Sequence, residues 1–191
     1  MAITKTLSQF KSTLAGGGAR PNLFEIEMTD SASVAGIPAD KLKMLCKAAS
    51  LPASTIAPIE IPFRGRIFKV AGDRTFDVWT ITVINDTDFE IRNAMESWMQ
   101  QVGQYADASG DADPADYQID ATVTQMTRLA STKGGVDGSG LEAVQSYKFY
   151  SIFPTSISAI DLSYDTGDTI EEFTVEFQVQ YWEPIPGGAT V

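Results

Sequence analysis

The run Glu172 to Tyr181, EFTVEFQVQY, places Phe173, Val175, Phe177, Val179 and Tyr181 on one side and Thr174, Glu176, Gln178 and Gln180 on the other. Side chains of a strand point alternately to its two faces, so this period of two describes a half-buried strand that needs an apolar layer opposite it. The same period recurs in Phe24, Ile26 and Met28 against Glu25 and Glu27, and in Trp79, Ile81 and Val83 against Thr80, Thr82 and Ile84. Phe76 and Val78 fall out of phase with the Trp79 set, as a bulge or a strand buried on both faces would require. Further β stretches are expected over Leu42 to Ala48, Tyr117 to Ala130 and Glu142 to Phe153, with Ile157 to Ser163 folding back through YDTGDT onto the last strand. The segment Arg66 to Asn85 reads as two strands around a turn at Gly72-Asp73. Pro52, Pro58 and Pro62 each lack an amide donor, so the stretch before it is extended without being a central strand.

Two helical patterns interrupt the β period. Ile3, Leu7, Phe10 and Leu14 form one stripe, ended by AGGGARP. Such a helix packs either on its own domain or on a neighbouring molecule. Thr87 with Glu90 makes a capping-box pattern ahead of Ile91, Ala94, Met95, Trp98, Met99 and Val102, and Gly103 stands where a helix can close. Thr29 to Asp40, Gln104 to Asp116 and STKGGVDGSG, Ser131 to Gly140, read as loops. The chain is therefore expected to be mainly β: an antiparallel barrel or sandwich with one flanking helix and a short N-terminal helix. Its organisation is expected as an N-terminal helix and connector over 1–18, a β domain over 19–184, and a tail over 185–191. With 191 residues a single core of useful size is available.

Several kinds of chemistry lack their residues. The sequence has no histidine, which removes His-based triads and His metal sites. Neither a P-loop nor a dinucleotide-binding glycine motif occurs. Its one cysteine, Cys46, has no partner for an intramolecular disulfide and is expected as a packed thiol. Asp107, Asp111, Asp113, Asp116 and Asp120 supply oxygens of the kind calcium uses, but Asp116 and Thr122 stand where the calcium loop needs Gly and Glu. A solvated acidic surface is the expectation there, and no metal or cofactor is expected anywhere. NDT at Asn85 to Thr87 matches a glycosylation acceptor and is better explained as a helix cap. A net charge of −11 opposes tight binding to the phosphate backbone of nucleic acid. No apolar run approaches the ~20 residues of a membrane span, and no secretory leader is expected from the N-terminal composition.

The turn GDRTFD offers Asp73 and Asp77 with Arg74 between them, yet no nucleophile or metal ligand accompanies them. A structural role for Arg74, paired to a carboxylate within or between chains, is expected, and the protein is expected not to be an enzyme. Arg64, Arg66, Lys69, Asp73 and Arg74 are the candidate assembly residues. A ligand-binding β-sandwich would need an exposed aromatic cluster, whereas Trp79, Trp98 and Trp182 all fit core patterns.

ARPNLFEIEM, CKAASLPASTIAPIEIPFRGRIFKVAGDRTFDVWTITVIND and FTVEFQVQYWEP, in order from about Ala19 to Pro184, resemble the tail tube proteins of contractile-tailed bacteriophages. The resemblance implies a β-barrel or sandwich subunit that forms hexameric rings, stacked into a hollow tube inside a contractile sheath. Under it, the proline-punctuated stretch Ser50 to Phe63, with Arg64, Arg66 and Lys69 beyond it, would reach across a ring boundary to acidic residues of the next ring. By that resemblance the partners are further copies of the chain, a tail sheath protein, a baseplate initiator, a tape-measure protein and a tail terminator. DNA would pass through without tight binding, there would be no direct membrane insertion, and the protein would be part of a virion assembled in the host cytoplasm. The same architecture serves contractile injection systems that carry protein effectors, and the residues alone leave that alternative open.

Overall fold

The computed structural model describes residues 7–14, 18–28, 36–107, 109–130, 141–165 and 167–186. The helices are α1 Leu7–Thr13, α2 Ala39–Leu45, α3 Glu90–Val102 and α4 Pro114–Tyr117. The strands are β1 Phe24–Met28, β2 Cys46–Ala49, β3 Ser54–Phe63, β4 Arg66–Phe76, β5 Trp79–Ile84, β6 Ile119–Ala130, β7 Leu141–Ile157, β8 Glu172–Gln178 and β9 Tyr181–Pro186. A seven-stranded sheet runs in the order β1-β6-β7-β8-β5-β2, with β9 on β7, while β3 and β4 form a separate two-stranded sheet. The mainly antiparallel β class expected from the alternation is what the chain adopts: β2 and β8 flank β5 antiparallel, and β7 pairs antiparallel with β8.

Contacts divide the chain into two compact units, one of Ile26–Thr122 and Tyr147–Glu183, the other of Met1–Glu25, Val123–Ser146 and Pro184–Val191. The core of the first is built by the period-two residues. Trp79, Ile81 and Val83 of β5 and Phe173, Val175 and Phe177 of β8 are all buried. Trp79 stacks on Phe149 with ring centroids 4.5 Å apart, and Phe177 lies 5.4 Å from Trp79 and 5.8 Å from Trp98. Helix α3 lays Ile91, Ala94, Met95 and Trp98 against this layer, the residues its apolar stripe predicts. Its other face carries Arg92, which pairs with Glu96 at 2.8 Å and sits over the Phe173 ring.

In the second unit Val123 is buried, the Met126 N–H donates to the Leu23 carbonyl at 2.9 Å, and the Thr124 and Ser146 hydroxyls are 3.0 Å apart. Helix α1 buries no residue, and Leu7, Phe10 and Leu14 are exposed. Ile3 and the loop 131–140 lie outside the described residues.

Four local expectations are corrected. Leu42 to Leu45 is helix, and the strand begins only at Cys46: Leu42 is buried but Met44 is 87% exposed, so the alternation there is not that of a two-faced strand. The short helix is held from outside, by Lys41 bridging Asp86, Asp88 and Glu90. Helix α3 begins at Glu90 without the capping box, because Phe89 takes a left-handed φ of 53° and Glu90 is drawn to Lys41. The turn expected at Gly72-Asp73 is not a turn: β4 runs through it, and the hairpin reverses at Arg64-Gly65. Finally, Ile157 ends β7, which pairs directly with β8, and Ser158 to Ser163 forms no strand.

Candidate assembly interface

In the first unit the ribbon of β3 and β4 carries large apolar residues that the core does not explain. Its root is fixed. The Trp79 indole N–H donates to the Ser50 carbonyl at 3.0 Å, and the Asp77 N–H donates to the Ala53 carbonyl at 3.2 Å. Trp182 donates its indole N–H to the same Ala53 carbonyl at 3.3 Å and meets Phe76 and Tyr147 edge-on. A strand pair of this length reaches roughly 30 Å.

Register gives the ribbon two unlike faces. Phe63 pairs with Arg66, Ile61 with Phe68 and Ile59 with Val70, so Ile59, Ile61, Phe63, Phe68 and Val70 share one side. Pro62 pairs with Ile67, Glu60 with Lys69 and Pro58 with Ala71 on the other. Apolar side chains on the first side stay open to solvent, Phe63 at 65% and Phe68 at 64%. The second side holds an ion pair between Lys69 and Glu60 at 3.3 Å. An isolated two-stranded ribbon is marginal in water, and one with an uncovered apolar face calls for a partner.

The turn chemistry sets this register. Arg64 and Gly65 both have positive φ, 47° and 82°, as a two-residue type I′ hairpin turn requires. Nearer the root the pairing shifts between Ile56 and Pro58, and Gly72 lies at the shift. A β-carbon on Gly72 would sit 2.5 Å from the Ala57 carbonyl oxygen. The sequence signal at Gly72-Asp73 is therefore a bulge that needs glycine for close approach.

The prolines decide which edge stays open. Proline has no N–H to give a partner strand, so Pro58 and Pro62 occupy positions whose amide side faces away from β4. The outer edge of β3 is thereby stripped of two donors. On β4 the matching outward positions, Ile67, Lys69 and Ala71, keep theirs. β4 presents an edge on which a further strand can pair, whereas β3 does not.

All the candidate assembly residues lie on this ribbon. Arg64 is in its turn with its guanidinium 5.4 Å from the Phe63 ring, Arg66 begins β4, and Lys69 is paired within the ribbon. Asp73 and Arg74 stand near the bulge, where Arg74 donates to the Ser54 hydroxyl at 3.5 Å, a side-chain hydroxyl where a carboxylate was expected. Arg64, Arg66, Asp73 and Arg74 form no ion pair among the described residues. The apolar face was not singled out in the sequence, although the alternation in IEIPFRGRIFKV carries it across the turn.

No group of acidic, cysteine or histidine side chains suited to a metal ion occurs among the described residues. Asp107 instead accepts from the Ser109 hydroxyl and N–H, which lowers its pKa. Cys46 is half-buried, and burial pushes its thiol up to about 11, so it is a poor nucleophile at neutral pH.

The family model described as phage tail tube protein matches residues 19–184. The chain belongs to the phage tail tube protein family. Tail tube protein gp19 of Enterobacteria phage T4 is 34% identical over 170 residues, covering 88% of this chain and 93% of that protein. The tail tube protein of Serratia phage KSP90 is 22% identical over 176 residues, covering 91% and 93%. Among solved structures, the tube-terminating cap of the anti-feeding prophage superposes with a TM-score of 0.62 at 16% identity, over 97% of this chain and 99% of that one. A chain of the sheath-tube complex of the extracellular contractile injection system PVC gives 0.56 at 14% identity, over 96% and 99%. These two share the tail tube fold. The protein is a tail tube protein with a structural role, and its ribbon is the exposed feature that role has to account for.

Proposed function

We propose that the protein is the repeating subunit of the inner tube of a contractile phage tail, forming hexameric rings that stack into a hollow conduit. The observation that carries this reading is the ribbon: an element with a fixed root, an uncovered apolar face and one open strand edge is incomplete as a monomer. A second copy of the chain completes it, since β4 offers backbone donors while the chain's net charge of −11 suits the ribbon's arginines, which form no ion pair among the described residues. Arg64, Arg66, Lys69, Asp73 and Arg74 are assigned to this interface, and the exposed α1 is assigned to contacts between rings. Net acidity fits a wall along which DNA slides, because like charge prevents the phosphate contacts that would hold it. The tube works as a conduit and not as an enzyme. Sheath, baseplate initiator, tape-measure protein and terminator are its proposed partners, and the virion tail its location.

Phage proteins at 34% and 33% identity support a phage tail over an injection machine. Negative-stain microscopy of the purified protein across rising concentration, with sedimentation alongside, tests the reading. Rings or tubes of uniform diameter are expected, and R64E/R66E should shorten or abolish them. A monodisperse monomer at every concentration, even with isolated tail tips added as seeds, would overturn it.

A further inference from the structure

The tip of the ribbon needs a receptor, and the opposite end of the same unit has one of matching chemistry. The segment between β7 and β8 forms an open cleft of about 620 Å³. Leu162, Tyr164 and Ile170 stand on it, with exposures of 81% for Leu162 and 72% for Ile170 and Tyr164 fully in solvent. The segment carries Asp161, Asp165, Asp168 and Glu171 and no basic residue, and Glu172 opens β8 beside it. Glu172 is matched by Lys47 at 2.6 Å and Glu171 accepts from Asn85 at 3.0 Å, whereas Asp161, Asp165 and Asp168 form no ion pair among the described residues. The ribbon tip is the complement: Phe63 and Ile67 are exposed, and Arg64 and Arg66 lack a carboxylate partner.

The tip does not occupy the cleft of its own molecule: Phe63 and Ile67 at the tip and Leu162 and Ile170 at the cleft are all exposed. The ribbon leaves the sheet where Trp79 pairs with Phe177, and the cleft lies past the far end of β5, where Ile84 pairs with Glu172. Those pairs are roughly 17 Å apart along the strands.

We infer that the cleft between β7 and β8, lined by Asp161, Leu162, Tyr164 and Ile170 on a segment that also carries Asp165 and Asp168, receives the Phe63–Ile67 tip from a second copy of this chain. The contact joins two different patches at opposite ends of one sheet. It is therefore heterologous and head-to-tail, and each docked copy exposes a new cleft or a new tip, so copies add in one direction until a ring closes or the series continues along an axis. The inference rests on the tube reading above and adds to it the acceptor and the polarity of the junction.

A charge exchange tests it in the full chain by sedimentation velocity, with circular dichroism and melting as controls of folding. R64E/R66E and D161K/D165K/D168K should each weaken association about tenfold or more, as like charges brought together at an interface do. The chain carrying both sets should recover association to within about threefold of the original, because every junction again joins opposite charges. Loss in the arm variant with full association in the acceptor variant would place the receptor elsewhere and overturn the inference, leaving the tube reading standing. Loss in both without recovery in the combined chain would also overturn it. Unchanged association in all three, or a monomer from the unmodified chain even with tail tips as seeds, would remove the arm's role and the inference with it. Should the acceptor variant fail to fold, Y164S/I170S at exposed positions serves instead: weakened association supports the cleft, and full association overturns it.

Discussion

Gly72 has no room for a side chain. A β-carbon there would lie 2.5 Å from the Ala57 carbonyl oxygen, a backbone atom that cannot swing aside. G72A should therefore open the pairing of β3 and β4 at the bulge while leaving the Trp79 and Phe177 core intact. Hydrogen exchange is expected to show faster amides at Ile59 and Val70 and unchanged ones in β5 and β8, with a local cost of about 1–3 kcal/mol. Trp98 is the opposite case. Buried against Phe177 with its indole N–H on the Tyr117 carbonyl at 2.7 Å, it belongs to the core alone. W98A is expected to cost about 3–5 kcal/mol in urea unfolding. Lys41 adds a pH signature. Hydrogen bonds to Glu90 and then Asp86 raise its pKa, and the Lys41 contact lowers that of Asp86. Lys41 then stabilises the fold at pH below its ordinary 10.5 and loses this as pH rises through its raised value. Asp86 stabilises above its ordinary 3.8 and loses this as pH falls through its lowered value. Melting temperature should be flat between those limits and fall on the acid side, and K41M should make the acid fall shallower.

At the scale of elements, the ribbon separates folding from assembly. Ile61 and Phe68 face solvent, so I61S/F68S should change monomer stability by no more than about 0.5 kcal/mol per site, yet it removes the apolar surface another copy would cover. Equal melting temperatures together with lost rings in the microscope are expected. Elements buried on one face were readable from the sequence, as Phe173, Val175 and Phe177 and the Ile91 to Trp98 stripe show, because burial imposes the period of the element. The misread elements are those shaped by something distant. Lys41 captures Glu90 across the sequence, which undoes the capping box and steadies a helix where alternation suggested a strand. Gly72 and Gly65 are both glycines near charged residues, and only the pairing register shows that one serves a bulge and the other a turn. The candidate residues on the ribbon were legible as a charged cluster. The cleft lined by Leu162, Tyr164 and Ile170 was not, because exposed apolar residues in a loop have no period to announce them.

For the whole molecule, the distribution of charge matters more than its sum. A chain at −11 repels its own copies at long range, and that repulsion alone would keep subunits apart. Assembly needs local attraction placed where copies meet, and in the proposed junction the ribbon tip with Arg64 and Arg66 supplies it on a chain of net negative charge. Salt acts on both terms in opposite directions. Screening relieves the general repulsion, and it also weakens the arginine-aspartate junction, whose charges stay exposed before docking. The Debye length falls from about 10 Å at 0.1 M to about 3 Å at 1 M, so the long-range repulsion fades first and the short-range junction later. Association followed by light scattering should therefore rise from low salt to a maximum near the middle of this range and decline toward 1 M. The I61S/F68S chain tests the division of labour: with its apolar contribution removed, its residual association should decline more steeply at high salt than that of the original. A monotonic rise to 1 M would mean that apolar burial dominates the junction and that the tip arginines contribute little.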